Sequence, residues 1–467
     1  MNESATASSL GSVQVTQVVD GCAFRGLPLT VFVFSVLTLV FDGFDIQAVG
    51  FVAPALLAEW NITRAELAPV LAAAMVGMAL GAMLMGPVGD KLGRRSALVL
   101  SMSTVAIGSL LSAYADTPGE LSLYRLITGL GLGGSLPNAT SLVVEFAPLT
   151  VRNVVVSVTI VGVPIGGVVG AEAAAQLLPA FGWRSVFLAG ALLPLLLVIC
   201  MWLWMPESPR YLARRPQRRA ELATILNRLT RSTRYSAEHT FTIAEQAGAE
   251  QKEGLAAILA PQYRTDTLLL WVAFFASIFS VYALFNWLPT VLSSMGLPVT
   301  VALRCALVFN LGGVVGTLVM ATAMNRFGSR RVLIVLSLMG ALLAVTLAVF
   351  QSTLYDADRL TPLLLVMAGA GASILAVQVG LYSVSAHAYP TSARSSGVGA
   401  GLGIGRLGGI LSAFAGAALF SGGVTPFFGG IAVVILLMAV SIALFKRHIP
   451  PVHAQAQLTP LNQREHT

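Results

Sequence analysis

Two aspartates, Asp42 and Asp45, lie near the middle of an apolar run from residue 29 to 53. If this run crosses a membrane, each charged carboxylate costs about 2.5–3.5 kcal/mol on insertion scales, so such residues are rarely present without a function. Their i, i+3 spacing places both on one face of a helix. Repulsion between two nearby carboxylates favours a state in which one carries a proton. The pair is therefore a candidate proton-exchange site. The alternative is that one aspartate is the permanent partner of a buried arginine.

Two arginines, Arg125 and Arg406, also lie inside apolar runs. A guanidinium stays charged and binds a carboxylate through two parallel hydrogen bonds. Arg406 lies about 16 Å into its run, near mid-bilayer, so we expect it either to bind an anionic ligand or to form an ion pair between helices. Arg125 lies closer to the start of its run. We expect it mainly to pair with Asp42 or Asp45, with direct ligand contact as the alternative.

A later apolar run contains Tyr282, Phe285, Asn286 and Trp287. Aromatic rings next to an amide suit a hydroxylated aromatic ligand, and the alternative for each residue is simple packing. Glu172 is a third carboxylate within an apolar run, and its role stays open.

The elements that position these residues are predicted to be membrane-spanning helices. Hydrophobic residues make up 56% of the 467 positions and charged residues 10%, whereas soluble domains are ~25% charged. Runs of about 20 apolar residues, enough to cross a bilayer, recur along the whole chain. They lie near residues 29–53, 67–88, 96–115, 120–146, 154–178, 184–204, 267–293, 301–324, 331–350, 361–385, 395–420 and 427–446. The sequence predicts an all-α membrane protein with twelve transmembrane helices.

The basic residues predict the orientation of the chain. Most of the 28 Lys and Arg residues fall on the side that holds both termini and the segment 205–266. The positive-inside rule makes that side cytoplasmic, so the net charge of +7 reflects membrane topology and not nucleic-acid binding. We expect an inner-membrane protein with cytoplasmic tails at 1–28 and 447–467. Two six-helix bundles, 29–204 and 267–446, are expected to be joined by a solvated cytoplasmic linker, 205–266.

The two halves repeat each other. Residues 90–95 (Asp-Lys-Leu-Gly-Arg-Arg) follow the second run, and residues 325–330 (Asn-Arg-Phe-Gly-Ser-Arg) follow the eighth. Residues 148–152 (Pro-Leu-Thr-Val-Arg) follow the fourth run, and residues 390–394 (Pro-Thr-Ser-Ala-Arg) follow the tenth. Signatures that recur in the same order at equivalent loops indicate a parallel internal repeat, the plan of two-bundle transporters.

Three motifs resemble those of the major facilitator superfamily. Residues 86–95 (Gly-Pro-Val-Gly-Asp-Lys-Leu-Gly-Arg-Arg) resemble its signature between the second and third spans. Residues 125–133 (Arg-x3-Gly-x-Gly-x-Gly) resemble its fourth-span motif, and residues 206–210 (Pro-Glu-Ser-Pro-Arg) the motif after the sixth span. The resemblance implies two pseudo-symmetric six-helix bundles.

A narrower resemblance concerns the aromatic acid:proton symporters, the relatives of the 4-hydroxybenzoate and 3-hydroxyphenylpropionate transporters. It rests on residues 42–45 (Asp-Gly-Phe-Asp), 286–289 (Asn-Trp-Leu-Pro), 389–394 (Tyr-Pro-Thr-x2-Arg) and 405–409 (Gly-Arg-Leu-Gly-Gly). It implies import of an aromatic carboxylate by proton symport through alternating access. The expected partners are the substrate, protons and the lipid bilayer, for a monomer without cofactor, metal or nucleic acid.

Two other transport functions remain as alternatives. Residues 162–167 (Gly-Val-Pro-Ile-Gly-Gly) partly resemble the fifth-span signature of proton-coupled drug antiporters. Residues 206–210 also resemble a motif of sugar and polyol porters. Two intramembrane arginines, however, suit an anion better than a neutral sugar. An enzyme is not expected, because no nucleophile elbow, phosphate-binding loop or metal-ligand spacing appears.

The superfamily resemblance also implies a gating group at the cytoplasmic helix ends, made of Asp90, Arg94, Arg95, Glu145, Arg152 and Arg394. Asp90 is expected to meet the positive N-terminal end of the eleventh span, and Arg94 to pair with Glu145. Arg152 and Arg394 are expected to cap helix ends or to pair across the same face. Asn325 stands where the repeated loop often has Asp, which predicts a weaker second latch.

Overall fold

The computed structural model describes residues 12–243, 255–354 and 360–451. In these ranges the chain forms twelve helices of 20 or more residues, as the apolar runs predict. The first bundle consists of α1 (Leu27–Glu59), α2 (Arg64–Leu92), α3 (Arg94–Ala113), α4 (Pro118–Phe146), α5 (Arg152–Phe181) and α6 (Arg184–Trp204). The second consists of α7 (Pro261–Ser294), α8 (Val299–Phe327), α9 (Ser329–Val349), α10 (Thr361–Ala388), α11 (Thr391–Ser421) and α12 (Val424–Leu444).

Eleven of these helices are long and apolar enough to cross a membrane. The exception is α4, whose 29 residues include Glu120, Arg125 and Glu145. Several helices extend beyond the predicted spans, because a helix continues past its apolar section. α7, for example, begins at Pro261, six residues before the predicted span.

The repeated loops adopt the same turn in both halves. Gly93 lies between α2 and α3 with φ +104°, and Gly328 lies between α8 and α9 with φ +79°. Both are the fourth residue of the repeated six-residue signature, and only glycine adopts such a φ without strain. The internal repeat is therefore also a repeat of backbone conformation.

The segment between the bundles is described at residues 205–243 and 255–260, where it forms short helices and packs against the N-terminal part of the chain. It contains short helices at Pro209–Ala213, Arg219–Thr230 and Leu255–Ile258, and a 3₁₀ turn at Pro216–Arg218. Leu222 and Leu226 are fully buried in a cluster that includes Val15 and Val19 of an N-terminal helix, Val15–Asp20. Strand β1 (Val13–Gln14) pairs in parallel with β2 (Phe241–Thr242), the one departure from an all-α chain in the described ranges. A further short helix, Gln351–Leu354, follows α9.

The face that holds the helix Val15–Asp20 and the described part of this segment is called the linker face. Across the bundle interface α1 packs on α7, α2 on α11 and α5 on α8. Near the opposite face, the Arg64 guanidinium lies 3.7 Å from the centre of the Phe420 ring, which joins α2 to α11. Towards the linker face, Gly86 of α2 and Gly399 and Gly403 of α11 adjoin open space. At the opposite face the two bundles are therefore in contact through Arg64 and Phe420.

Candidate functional site

A buried ion pair joins α1 to α4. The two terminal nitrogens of Arg125 donate to the two carboxylate oxygens of Asp45, Nη1 to Oδ1 at 3.1 Å and Nη2 to Oδ2 at 2.5 Å. Nη2 also donates to the Asp45 backbone carbonyl at 3.0 Å. The Ser109 hydroxyl of α3 donates to Oδ1 at 2.5 Å. Arg125 was expected to pair with Asp42 or Asp45, and in this structure it pairs with Asp45. The side chains of this pair are at most 1% exposed.

The helices that carry this ion pair are packed closely against their other neighbours. A Cβ atom built on Gly43, between the two aspartates, would lie 1.9 Å from the carbonyl oxygen of Val163 in α5. A Cβ on Gly129 would lie 2.2 Å from the carbonyl oxygen of Ala74 in α2. These glycines let α1 and α4 approach their neighbours at backbone contact, as small residues do in membrane helix bundles.

Asp42 has a different environment from Asp45. It is 3% exposed, and its Oδ1 atom has no hydrogen-bond partner among the described residues. Ser135 of α4 and the Tyr282 phenol of α7 are its polar neighbours. The two aspartates therefore differ in their partners. Asp45 is bound by Arg125 and Ser109, whereas one carboxylate oxygen of Asp42 has no hydrogen-bond partner among the described residues.

Arg406 lies midway along α11 at the bundle interface. Its Nη1 atom donates to the backbone carbonyl of Met78 in α2 at 2.8 Å. The phenols of Tyr282 and Tyr382 are its neighbours among the ionisable side chains. No carboxylate lies within ion-pair distance of Arg406 in the described ranges. Arg406 was expected either to bind an anionic ligand or to form an ion pair between helices. The ion pair is not formed in the described ranges.

The aromatic cluster of α7 divides into two parts. The Tyr282 and Phe285 rings meet edge to face at 5.8 Å, and the buried Asn286 amide nitrogen lacks a hydrogen-bond partner among the described residues. Trp287 is fully buried and donates from Nε1 to the Ala413 carbonyl of α11 at 3.2 Å. The contacts of Trp287 are those of a packing residue within the second bundle.

The gating residues at the linker face make contacts within the first bundle. Asp90, whose side chain is 69% exposed, pairs with Arg94 at 2.5 Å and does not reach α11. Arg94 also approaches the Asn138 amide oxygen at 3.4 Å, whereas Glu145 accepts a hydrogen bond from Ser208. The expected contacts of Asp90 with α11 and of Arg94 with Glu145 are therefore not formed in this structure.

The other basic residues of the gating group differ in their contacts. Arg152 donates from Nη2 to the Ala147 carbonyl at 2.9 Å, which caps the end of α4, and it pairs with Asp20. The Arg95 backbone nitrogen donates to Glu207 at 3.0 Å, and the Arg95 guanidinium bonds the Trp202 carbonyl. Arg394 is exposed.

Glu172 lies away from the buried charges. It is exposed and accepts a hydrogen bond from Gln176 at 2.8 Å on its own helix, α5. Cys22, Cys200 and Cys305 are free thiols. No cluster of His, Cys, Asp or Glu suited to a metal ion occurs in the part of the chain that the structure describes.

Sequence reasoning missed three residues of this region. Gln47 and Asn310 are polar side chains in apolar runs, a signal of the same kind that identified the aspartates. Ser109 gave no such signal, because serine is common in membrane helices and bonds its own backbone there. Only the packing of α3 against α1 reveals its contact with Asp45.

Comparisons with known proteins were made over the whole chain. A family model described as Major Facilitator Superfamily matches residues 35–413. The chain is 35% identical over 411 residues to the gallate transporter of Pseudomonas putida, covering 88% of this chain and 89% of that protein. It is 36% identical over 397 residues to the 4-hydroxybenzoate transporter PcaK of Pseudomonas putida, covering 84% and 87%. The inward open xylose transporter XylE from E. coli superposes with a TM-score of 0.69 at 17% identity, covering 90% of this chain and 97% of that one, a likeness of fold alone.

Proposed function

Because this chain belongs to the Major Facilitator Superfamily, we propose that it imports an aromatic carboxylate across a bacterial inner membrane together with protons. Relatives at 35–36% identity are named as transporters of gallate and of 4-hydroxybenzoate, which supports a hydroxybenzoate-like substrate. Both bundles come from one chain, so the transport unit that we propose is the monomer. Alternating access then arises from the rocking of one bundle against the other.

The observation that carries the proposal is the uncompensated charge of Arg406. A guanidinium in a membrane interior is costly unless an anion accompanies it. Arg125 already has its carboxylate in Asp45, whereas Arg406 donates to a neutral backbone carbonyl. We therefore assign Arg406 as the ligand of the substrate carboxylate. Tyr282, Phe285 and Asn286 are the proposed contacts of the substrate ring and its hydroxyl groups.

The two aspartates also differ in whether they have a partner of opposite charge. Asp45 is held by Arg125 and Ser109, so both of its carboxylate oxygens already have hydrogen-bond donors. Asp42 has a buried oxygen without a partner, and its neighbour Ser135 is neutral. We propose that Asp42 carries the coupled proton and that Asp45 and Arg125 form the fixed ion pair that orients α1 and α4.

The membrane orientation follows from charge. The linker face carries most of the 28 Lys and Arg residues, so we propose that it is cytoplasmic and that both termini lie there. On this orientation, the contact of Arg64 with Phe420 lies towards the outside. The gating group would form its contacts across the bundles when the carrier faces outward.

The experiment that tests the substrate assignment is uptake of radiolabelled aromatic acids by proteoliposomes, with and without an inward proton gradient. Gradient-driven accumulation of gallate or 4-hydroxybenzoate is expected for the wild type. Loss of one charge-assisted hydrogen-bonding partner costs about 1.5–3 kcal/mol, so Arg406→Ala should weaken substrate binding roughly 10- to 150-fold. Arg406→Lys keeps the charge but not the paired geometry and should lie in between.

Arg304→Ala is the control for nonspecific effects of losing an arginine. Arg304 is exposed near the N-terminal end of α8, so this variant should leave substrate affinity unchanged. If Arg406→Ala binds substrate as tightly as the wild type, the assignment of Arg406 fails. Proton-driven efflux of hydrophobic cations, with no aromatic acid moved, would instead indicate a drug antiporter.

Proton coupling is tested separately with Asp42→Asn, which mimics the protonated carboxylate permanently. This variant should exchange labelled for unlabelled substrate across the membrane but should not accumulate it against a gradient. Ser135→Ala is the matched control, since it changes the neighbour of Asp42 and leaves the carboxylate in place. Accumulation by Asp42→Asn that still depends on the proton gradient would rule out Asp42 as the coupling residue.

A further inference from the structure

A pair of amide side chains crosses the bundle interface between α1 and α8. Gln47 donates from Nε2 to Asn310 Oδ1 at 3.1 Å, and Asn310 donates from Nδ2 to Gln47 Oε1 at 2.9 Å. The two residues are 1% and 0% exposed. Asn310 also donates to the Ala306 carbonyl of its own helix at 2.9 Å. Two primary amides are self-complementary, so this contact satisfies both side chains without any charge.

The surrounding helices meet at backbone distance at the same level. A Cβ atom on Gly167 of α5 would lie 2.2 Å from Gln47 Nε2 and 2.4 Å from Asn310 Oδ1. A Cβ on Gly50 of α1 would lie 2.1 Å from the Phe285 carbonyl oxygen of α7. Two helices of the first bundle, α1 and α5, therefore contact two helices of the second bundle, α7 and α8, at this level.

This contact lies next to the site, on the side away from the linker face. Gln47 follows Asp42 by five residues, about 7–8 Å along the helix axis. Phe285, at the Gly50 contact, is the immediate neighbour of Asn286. A ligand near Asp42 and Tyr282 is thus separated from the opposite face by the amide pair and the two glycine contacts.

We propose that Gln47 and Asn310 form a clasp that closes the site towards the opposite face and must open once in each transport cycle. The hydrogen bonds exist only when α1 and α8 touch, so they stabilise the closed arrangement. When the bundles separate, each amide exchanges its partner for water at little cost, because neither is charged. Gly167 lets the two amides meet, because any side chain at this position would overlap them. The inference does not depend on which substrate is carried.

The test measures the distance between the outer ends of α1 and α7. Spin labels are placed on Ala58→Cys and Ser294→Cys, both exposed positions, in a chain whose native cysteines are replaced. Double electron–electron resonance then gives the ratio of long to short distances, which is the ratio of open to closed clasp. In Gln47→Leu the Asn310 amide loses its partner, and the ratio should rise at least about fivefold.

Three further variants make the result specific. The exchange Gln47→Asn with Asn310→Gln keeps both amides and should return the ratio towards the wild-type value. Gln351→Leu removes an amide hydrogen bond confined to the second bundle, to Thr425, and should leave the ratio unchanged. If Gln47→Leu does not fold, Gln47→Glu keeps the shape, removes the donor to Asn310 Oδ1 and should raise the ratio as well.

A wild-type distance distribution in folded Gln47→Leu or Gln47→Glu protein would overturn the clasp. A shift of equal size in Gln351→Leu would overturn it too, because the effect would then reflect general loosening of the chain.

Discussion

Replacing Arg125 with methionine would leave the Asp45 carboxylate buried with Ser109 as its remaining side-chain donor. Removing one partner of a buried ion pair costs about 3–5 kcal/mol, because the other charge stays desolvated. The pair of Arg125 and Asp45 is expected to lie in the upper part of that range, because it is fully buried and held by several hydrogen bonds. Its side chains are 0% and 1% exposed, and Arg125 donates three hydrogen bonds to one residue. We expect Arg125→Met to lower the free energy of unfolding by this amount.

The double variant Asp45→Asn with Arg125→Met removes both charges and should be more stable than Arg125→Met alone. A coupling of at least about 1.5 kcal/mol is expected, since residues in one buried network are not additive. The assay is reversible unfolding in mixed micelles with a rising fraction of SDS, followed by tryptophan fluorescence. Arg184→Met is the matched control, because the ion pair of Arg184 with Glu59 is 39% and 47% exposed and should contribute less than about 1 kcal/mol.

Additive losses in the cycle would refute the reasoning. So would a loss in Arg125→Met no larger than that in Arg184→Met. Either result would mean that Arg125 and Asp45 are not an energetically coupled buried pair, and the assignment of the coupled proton to Asp42 alone would lose its basis.

Three smaller predictions follow from other contacts. Gly43→Ala should lower stability by about 1–3 kcal/mol or more, measured by the same unfolding assay, because the new methyl group would overlap the Val163 carbonyl. Trp287→Phe should cost about 0.5–1.5 kcal/mol through the lost bond to Ala413 and leave the KM for uptake within twofold of wild type. Burial holds the pKa of His448 below 6.5, so below that pH the unfolded chain binds a proton that the folded site resists. Stability should therefore fall as pH drops from 7 towards 5, and His448→Gln should reduce that slope.

The helices were predictable because apolar length is a local property of the chain. A run of about 20 apolar residues specifies a span whatever its neighbours are, and α4 was identified despite its three charges. The repeat was equally visible, since Gly93 and Gly328 occupy matching positions in matching signatures. Helix ends were less accurate, because a helix continues into polar sequence until a turn or cap stops it.

The partners within the site were not predictable to the same degree. The i, i+3 spacing placed Asp42 and Asp45 on one face, but it did not indicate which of them Arg125 would bind. That choice depends on how α3 and α4 pack against α1, which the spacing of residues along one helix does not encode. The pairing of β1 with β2 is harder still, because a two-residue strand has no pattern of its own and its partner lies 228 residues away.

The separation of the charges into one satisfied pair and two single groups has a consequence for coupling. With Asp45 and Arg125 neutralising each other, the proposed site contains Arg406 and Asp42 as its variable charges. When the substrate carboxylate and a proton are both bound, Arg406 offsets the substrate and Asp42 is neutral. When both are absent, Arg406 and an ionised Asp42 offset each other. A site holding only the proton or only the carboxylate carries a net charge, and closing the bundles over it would bury that charge in a low-dielectric interior. We therefore propose that one proton moves with one carboxylate, because Arg406 and Asp42 have opposite charges and neither forms an ion pair in the described ranges.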